Sequence, residues 1–189
     1  MPISKSNRSY IARSDRAGKS ASAAYREFFQ NRHKAQNNKH VEGAIVVYTD
    51  GACHPNPGPG GWAIVIVMPD GTVTEYSGNG GHTTNNRMEL QAAIAAIEAT
   101  PQNSAVRIIT DSKYVLNGIT SWVKNWKRSG WKRKTDEGIK PVLNADLWKR
   151  LDGLCANRKI AWQWVKGHNG NQHNERADQL ATIAARRAI

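Results

Sequence analysis

Four acids stand in surroundings that suit them to one kind of chemistry. Asp50 lies in VVYTDGA, Glu89 in NNRMELQAA, Asp111 in IITDSKY and Asp178 in GHNGNQHNERADQLA. Two of them end apolar β-like runs and two lie on segments with helical spacing, a layout that can gather distant acids at one edge of a sheet. Clustered carboxylates repel one another and hold on to protons unless a cation neutralises them. Hard oxygen donors of this kind suit Mg2+ or Mn2+ rather than zinc. The reaction that most needs such a cluster is phosphodiester cleavage assisted by two divalent ions.

Taken singly, each acid has an ordinary duty open to it. Asp50 can cap a strand-end turn at Gly51, and Glu89 can favour the dipole at a helix start. Asp111 can N-cap the next helix, and Asp178 can be one more surface acid on an amphipathic helix. Their surroundings argue otherwise. TDGACHPNPGPGGW (49–62), TTNNRMEL (83–90), TDSKYV (110–115), a Trp- and Lys-rich stretch (122–134) and GHNGNQHNERAD (167–178) follow one another in order. This series resembles the ribonuclease HI family, from about residue 45 to near the C-terminus, and five ordered blocks are far more specific than a lone TDG.

The resemblance implies a role for each matched residue. Asp50, Glu89, Asp111 and Asp178 become the ligands of two Mg2+ ions, for which Mn2+ can substitute, with Asp50 bridging both. His168, in the glycine-flanked GHNGN, becomes a helper in proton transfer or product release, although a lone histidine usually has no catalytic duty. Cys53, Asn56, Asn85 and Asn86 line a groove between the strands of an RNA–DNA hybrid, and Asn174 joins the substrate-binding residues. Turn formation by Asn56 and helix capping by Asn85 are compatible with such contacts. Cys53 has no base placed beside it by motif and is not read as a nucleophile. Lys113 departs from the pattern, standing where a neutral polar residue is expected.

The stretch WVKNWKRSGWKRK interleaves Trp122, Trp126 and Trp131 with Lys124, Lys127, Arg128, Lys132, Arg133 and Lys134, and contains no acid. It resembles the family's basic protrusion, which grips the DNA strand, and such phosphate contacts weaken steeply with salt. Trp122 and Trp126 are one helical turn apart and share a face. That spacing equally suits inward packing, and the cations equally suit a solvated face. Trp162 and Trp164, alternating on a strand, read as structural.

Around these residues the chain divides in two. Residues 1–40 hold nine Lys/Arg against Asp15 and Glu27, which is +7 of a total of +12. Polar and basic, segment 1–43 is expected to be a disordered tail that adds non-specific nucleic-acid contact. Tyr25, Phe28 and Phe29 fall at i, i+3, i+4 and could form a short amphipathic helix; an Arg/Ser-rich start also resembles an organelle transit peptide. Two cysteines, Cys53 and Cys155, are too few for a disulfide scaffold, so a reducing compartment is expected, cytoplasmic and of bacterial type. No apolar run approaches a membrane span, and nothing calls for more than a monomer.

Residues 44–189 are expected to form one catalytic domain. Apolar runs at 44–48, 62–67 and 72–77 predict a three-strand meander, with a turn at Pro69-Asp70-Gly71. Leu90, Ile94 and Ile97 recur at i, i+4, i+7 and mark a helix ahead of Pro101. A fourth strand is expected at 106–110, helices at 112–127 and 144–156, a fifth strand at 160–165 and a last helix at 172–188. This is an α/β chain, a five-stranded mixed sheet flanked by helices, as in the ribonuclease H-like fold. The resemblance implies endonucleolytic hydrolysis of the RNA strand of RNA–DNA hybrids, leaving 5′-phosphate and 3′-hydroxyl ends, in primer and R-loop removal. Two other classes compete: a transposase or integrase core of the same fold, and a hybrid-binding protein without catalysis. The intact GHNGN…NERAD block and basic stretch argue against the first, and the presence of all four acids against the second.

Overall fold

A computed structural model describes residues 43–187. The basic segment before them, with its Tyr25, Phe28 and Phe29 spacing, and the last two residues lie outside the described part.

Three antiparallel strands open the fold: β1 (Ile45–Cys53), β2 (Gly58–Val67) and β3 (Val73–Thr83). Helix α1 (Asn85–Glu98) follows, then β4 (Val106–Thr110), and later β7 (Ile160–Trp164) and α5 (Gln172–Arg186). The main sheet runs β3-β2-β1-β4-β7, with β1–β4 and β4–β7 parallel. The mixed five-stranded sheet is therefore as expected. All three meander strands are longer than their apolar runs, because the glycine-rich segments 58–61 and 78–83 pair as strand too.

Close packing explains the glycines there. A Cβ on Gly61 would lie 2.3 Å from the Ala185 backbone nitrogen, so α5 rests directly on β2. A Cβ on Gly51 would lie 2.2 Å from the Glu89 nitrogen, so α1 presses equally closely on β1. The side-chain alternation of β2 then feeds two cores. Trp62, Ile64 and Ile66 face α1 and its neighbours, while Ala63 and Val65 lie under Ala177, Leu180 and Ala181 of α5.

The segment expected as one helix at 112–127 is three pieces: α2 (Lys113–Asn117), a π-helical turn (Gly118–Trp122) and α3 (Val123–Arg128). The wider turn places Gly118 where a Cβ would lie 1.9 Å from the ring of Trp148, a fully buried residue of α4 (Ala145–Cys155). Between α3 and α4 stands an unforeseen two-stranded ribbon, β5 (Lys132–Thr135) and β6 (Gly138–Pro141). Finally, the half-buried Arg158 donates to the carbonyls of Ile97, Thr100 and Pro101 at 2.7–3.1 Å, fastening the C-terminal end of α1.

Candidate active site

The acids meet at the C-terminal ends of two neighbouring parallel strands. Thr49 of β1 pairs with Thr110 of β4, so Asp50 and Asp111 are each the next residue along. Asp50 does not end its strand, as the sequence suggested; β1 continues to Cys53 against β2 alone, and the acid sits where β1 parts from β4. Glu89 arrives from above. Thr84 is the N-cap of α1, which places Glu89 in the second turn, too deep for a first-turn dipole role and directly over Gly51. The helix cap after Asp111 is Ser112, which accepts from the Val115 amide, and this leaves the Asp111 carboxylate free of capping.

Ligand oxygens of Asp50, Glu89 and Asp111 lie within 4.8 Å of one another. Asp178, on α5, stands outside this group of three but close enough for its charge to act on Asp50. Asp50 and Glu89 are each only 6% exposed. Burial, then the charges of Asp111 and Asp178, push the Asp50 carboxyl up to about 8, partly opposed by the Gly51 backbone amide. Burial and the charges of Asp50 and Asp111 also raise Glu89, whose Oε2 has no hydrogen-bond partner. An unpartnered buried carboxylate oxygen beside two further acids is costly unless a cation completes it. This donor set fits a hard divalent ion.

The other expected residues fall into two groups. Asn85 Nδ2 lies 3.5 Å from Glu89 Oε1, and its backbone amide donates to Asn56 Oδ1 at 3.1 Å, so Asn56 satisfies the opening of α1 across the β1–β2 loop. Asn86 is exposed beside them. These asparagines border the acids on the β2–β3 side. Cys53 Sγ is enclosed by the carbonyls of Pro55, Gly58 and Thr83 at 3.3–3.4 Å, which makes it part of the loop's internal bonding. Asn174 is 2% exposed and donates from Nδ2 to Asp111 Oδ2 at 3.1 Å. The residue expected among the substrate contacts thus stands in this structure as a buried partner of Asp111. His168 is exposed in the loop before α5, with φ of 51°, and is not hydrogen-bonded to the acids.

In the basic stretch, packing divides the tryptophans. Trp126 meets Trp148 at 5.5 Å between ring centres and Trp122 at 5.7 Å, and both Trp126 and Trp131 pack against the core. Of the pair at i, i+4, Trp126 packs inward while Trp122 stays 37% exposed, and Trp131, for which no inward packing was foreseen, is partly buried too. Lys124 and Arg128 are exposed, whereas Lys127 pairs with Asp152 of α4 at 2.8 Å. One neighbour of the acids was read from the sequence only as structural. Trp164 of β7 donates from Nε1 to the Asp111 carbonyl at 2.9 Å, and the Lys113 ammonium lies over its ring.

A family model for RNase H matches residues 42–186, well over half of the chain. The chain belongs to the RNase H family. Ribonuclease H of Rhodopseudomonas palustris (strain HaA2) is 55% identical over 137 residues, 72% of this chain and 83% of that protein. Ribonuclease H of Roseobacter denitrificans is 52% identical over 141 residues, 72% of this chain and 92% of its own. Among solved structures, LC9-RNase H1, a type 1 RNase H with the type 2 active-site motif, superposes with a TM-score of 0.66 at 31% identity, covering 77% of this chain and 74% of its own. In this chain the RNase H fold and the acid cluster therefore occur together.

Proposed function

We propose that this RNase H family chain hydrolyses the RNA strand of RNA–DNA hybrids endonucleolytically, at the site formed by Asp50, Glu89, Asp111 and Asp178. The observation that carries the reading is the buried, mutually repelling carboxylate cluster, on a fold and sequence shared with proteins named ribonuclease H. The four acids would hold two Mg2+ ions, or Mn2+ in their place. When bound, these would activate the attacking water and neutralise charge on the departing 3′ oxygen, giving 5′-phosphate and 3′-hydroxyl ends.

The chain's own residues do the rest. Asn174 holds Asp111 from α5, and Asn85 approaches Glu89 along α1, so two of the acids are oriented before substrate arrives. Asn56, Asn85 and Asn86 offer short polar groups where a minor groove displays 2′-hydroxyls, the feature that distinguishes RNA from DNA. Trp122, Lys124 and Arg128, exposed in the basic stretch, would meet phosphates of the other strand. His168, on its exposed loop, would take or give a proton at the edge of the site. Segment 1–43 adds non-specific attraction from outside the catalytic domain 44–189. A monomer working on primers and R-loops in a bacterial-type cytoplasm suits this reading; no helix among the described residues is long and apolar enough to cross a membrane.

The test is cleavage of an end-labelled RNA–DNA hybrid with Mg2+ or with EDTA, beside single-stranded RNA, duplex RNA and duplex DNA. Cutting is expected only of the hybrid and only with the metal, falling at least about 100-fold in Asp50→Asn. Equal cutting by the variant would overturn the reading. Strand joining on DNA ends would indicate the transposase-like class instead, and tight binding without cleavage a hybrid-binding protein.

A further inference from the structure

The asparagines border the acids on the β2–β3 side; the β7 side has no assigned contact. It is not bare. Trp164 stands at the C-terminal end of edge strand β7, paired with Thr110, and is 38% exposed despite its size. Its indole N–H is committed to the Asp111 carbonyl, which fixes the ring beside the acid cluster. The ammonium of Lys113, two residues beyond Asp111, lies 5.1 Å from the ring centre.

Lys113 is exposed and forms no ion pair with a carboxylate among the described residues, although acids stand close to it in the chain. The aromatic face attracts the cation without neutralising it. Its positive charge therefore remains available, on a fixed support, at the rim of the site. A strand laid across Asp50 and Asp111 from the asparagine side continues, in sheet order, towards β7. The group it would then present to an exposed cation is a backbone phosphate, and an ammonium meets phosphate as a point charge without demanding one geometry.

We infer that Lys113, supported on Trp164, is a phosphate-binding residue that grips the RNA strand on the β7 side of the acids. This rests on the hybrid-cleavage reading and adds a contact to it. Because the contact exchanges counterions for one lysine, it should contribute about one phosphate's share to the salt dependence of binding, a log–log slope of about 0.7 to 0.9.

The experiment measures hybrid affinity by fluorescence anisotropy across a salt series in Ca2+ without Mg2+, for the full chain, Lys113→Met and Lys113→Arg. Mg2+ binding is measured in parallel by calorimetry on the same proteins without nucleic acid. The expected result is an affinity loss of about threefold or more in Lys113→Met at low salt. The slope should become shallower by about one contact, and Lys113→Arg should restore both. An unchanged slope in Lys113→Met would overturn the inference, making the lysine a plain surface charge. Tighter Mg2+ binding with unchanged hybrid affinity would also overturn it, since the lysine would then act on the acids. Failure of the unsubstituted chain to cut hybrid in Mg2+ would strike the underlying reading instead, so the two failures are distinguishable.

Discussion

Asp50 carries a conflict that the protein part of the site does not resolve. Its carboxyl ordinarily releases its proton near 3.8, but burial and the neighbouring acids raise it to about 8 in the folded chain. Between those limits the folded state binds more protons than the unfolded one, so metal-free stability is fullest below about pH 4 and is lost as pH rises through about 8. Glu89 acts in the same direction. Thermal unfolding in EDTA should therefore show a midpoint that declines from about pH 5 to about pH 8, and Asp50→Asn should flatten that decline. The same variant should stabilise the metal-free protein near pH 8 by about 2 kcal/mol or more while abolishing most cleavage. A midpoint equally pH-dependent in both proteins would refute this. Asn174→Ala removes the amide from Asp111; a loss of about 10-fold to 100-fold in activity or metal affinity is expected, read by kinetics and calorimetry. At this scale the meeting of Asp50, Glu89 and Asp111 was legible because each lies in a distinctive block. The burial of Asn174 against Asp111 was not, since a motif gives neighbours in sequence and says nothing of burial.

The elements were legible where apolar spacing is strong. Leu90, Ile94 and Ile97 announced α1, and 106–110 announced β4 almost to the residue. What stayed hidden was structure imposed by packing. Glycines at 58–61 argue locally for a loop, yet they are strand because α5 must come within contact of β2. KRKT and GIKP carry neither apolar alternation nor a glycine between them in the Asp136–Glu137 connection, so ribbon β5–β6 left no sign. Helix α1 is the element on which the site most depends, being pressed onto Gly51 near one end and fastened by Arg158 at the other. Gly51→Ala should lower stability by about 3 kcal/mol or more, because the Cβ meets backbone that cannot step aside. Arg158→Met should cost about 1–3 kcal/mol by freeing the carbonyls at the end of α1. Chemical denaturation measures both.

At the scale of the molecule, charge is the dominant feature. A net +12, with +7 of it in the first forty residues, commits the chain to a polyanion whatever the details of its site. Hybrid affinity should fall by about 10-fold or more between 50 and 200 mM salt, and a chain starting at residue 43 should keep cleavage but lose part of that salt dependence. An unchanged slope on removing the segment would show that it does not touch the substrate. The close seat of α5 on Gly61 has a further consequence when the chain is followed in time. Asp50, Glu89 and Asp111 are synthesised first, and Asp178 trails Asp111 by 67 residues, which is roughly 3 to 13 s of translation. Until α5 arrives, the face carrying Ala63 and Val65 has no cover, and Asp50 lacks the neighbouring charge of Asp178. The nascent chain thus passes through an interval in which this apolar face is open, and the helix that closes it is the one that carries Asp178 to the acids.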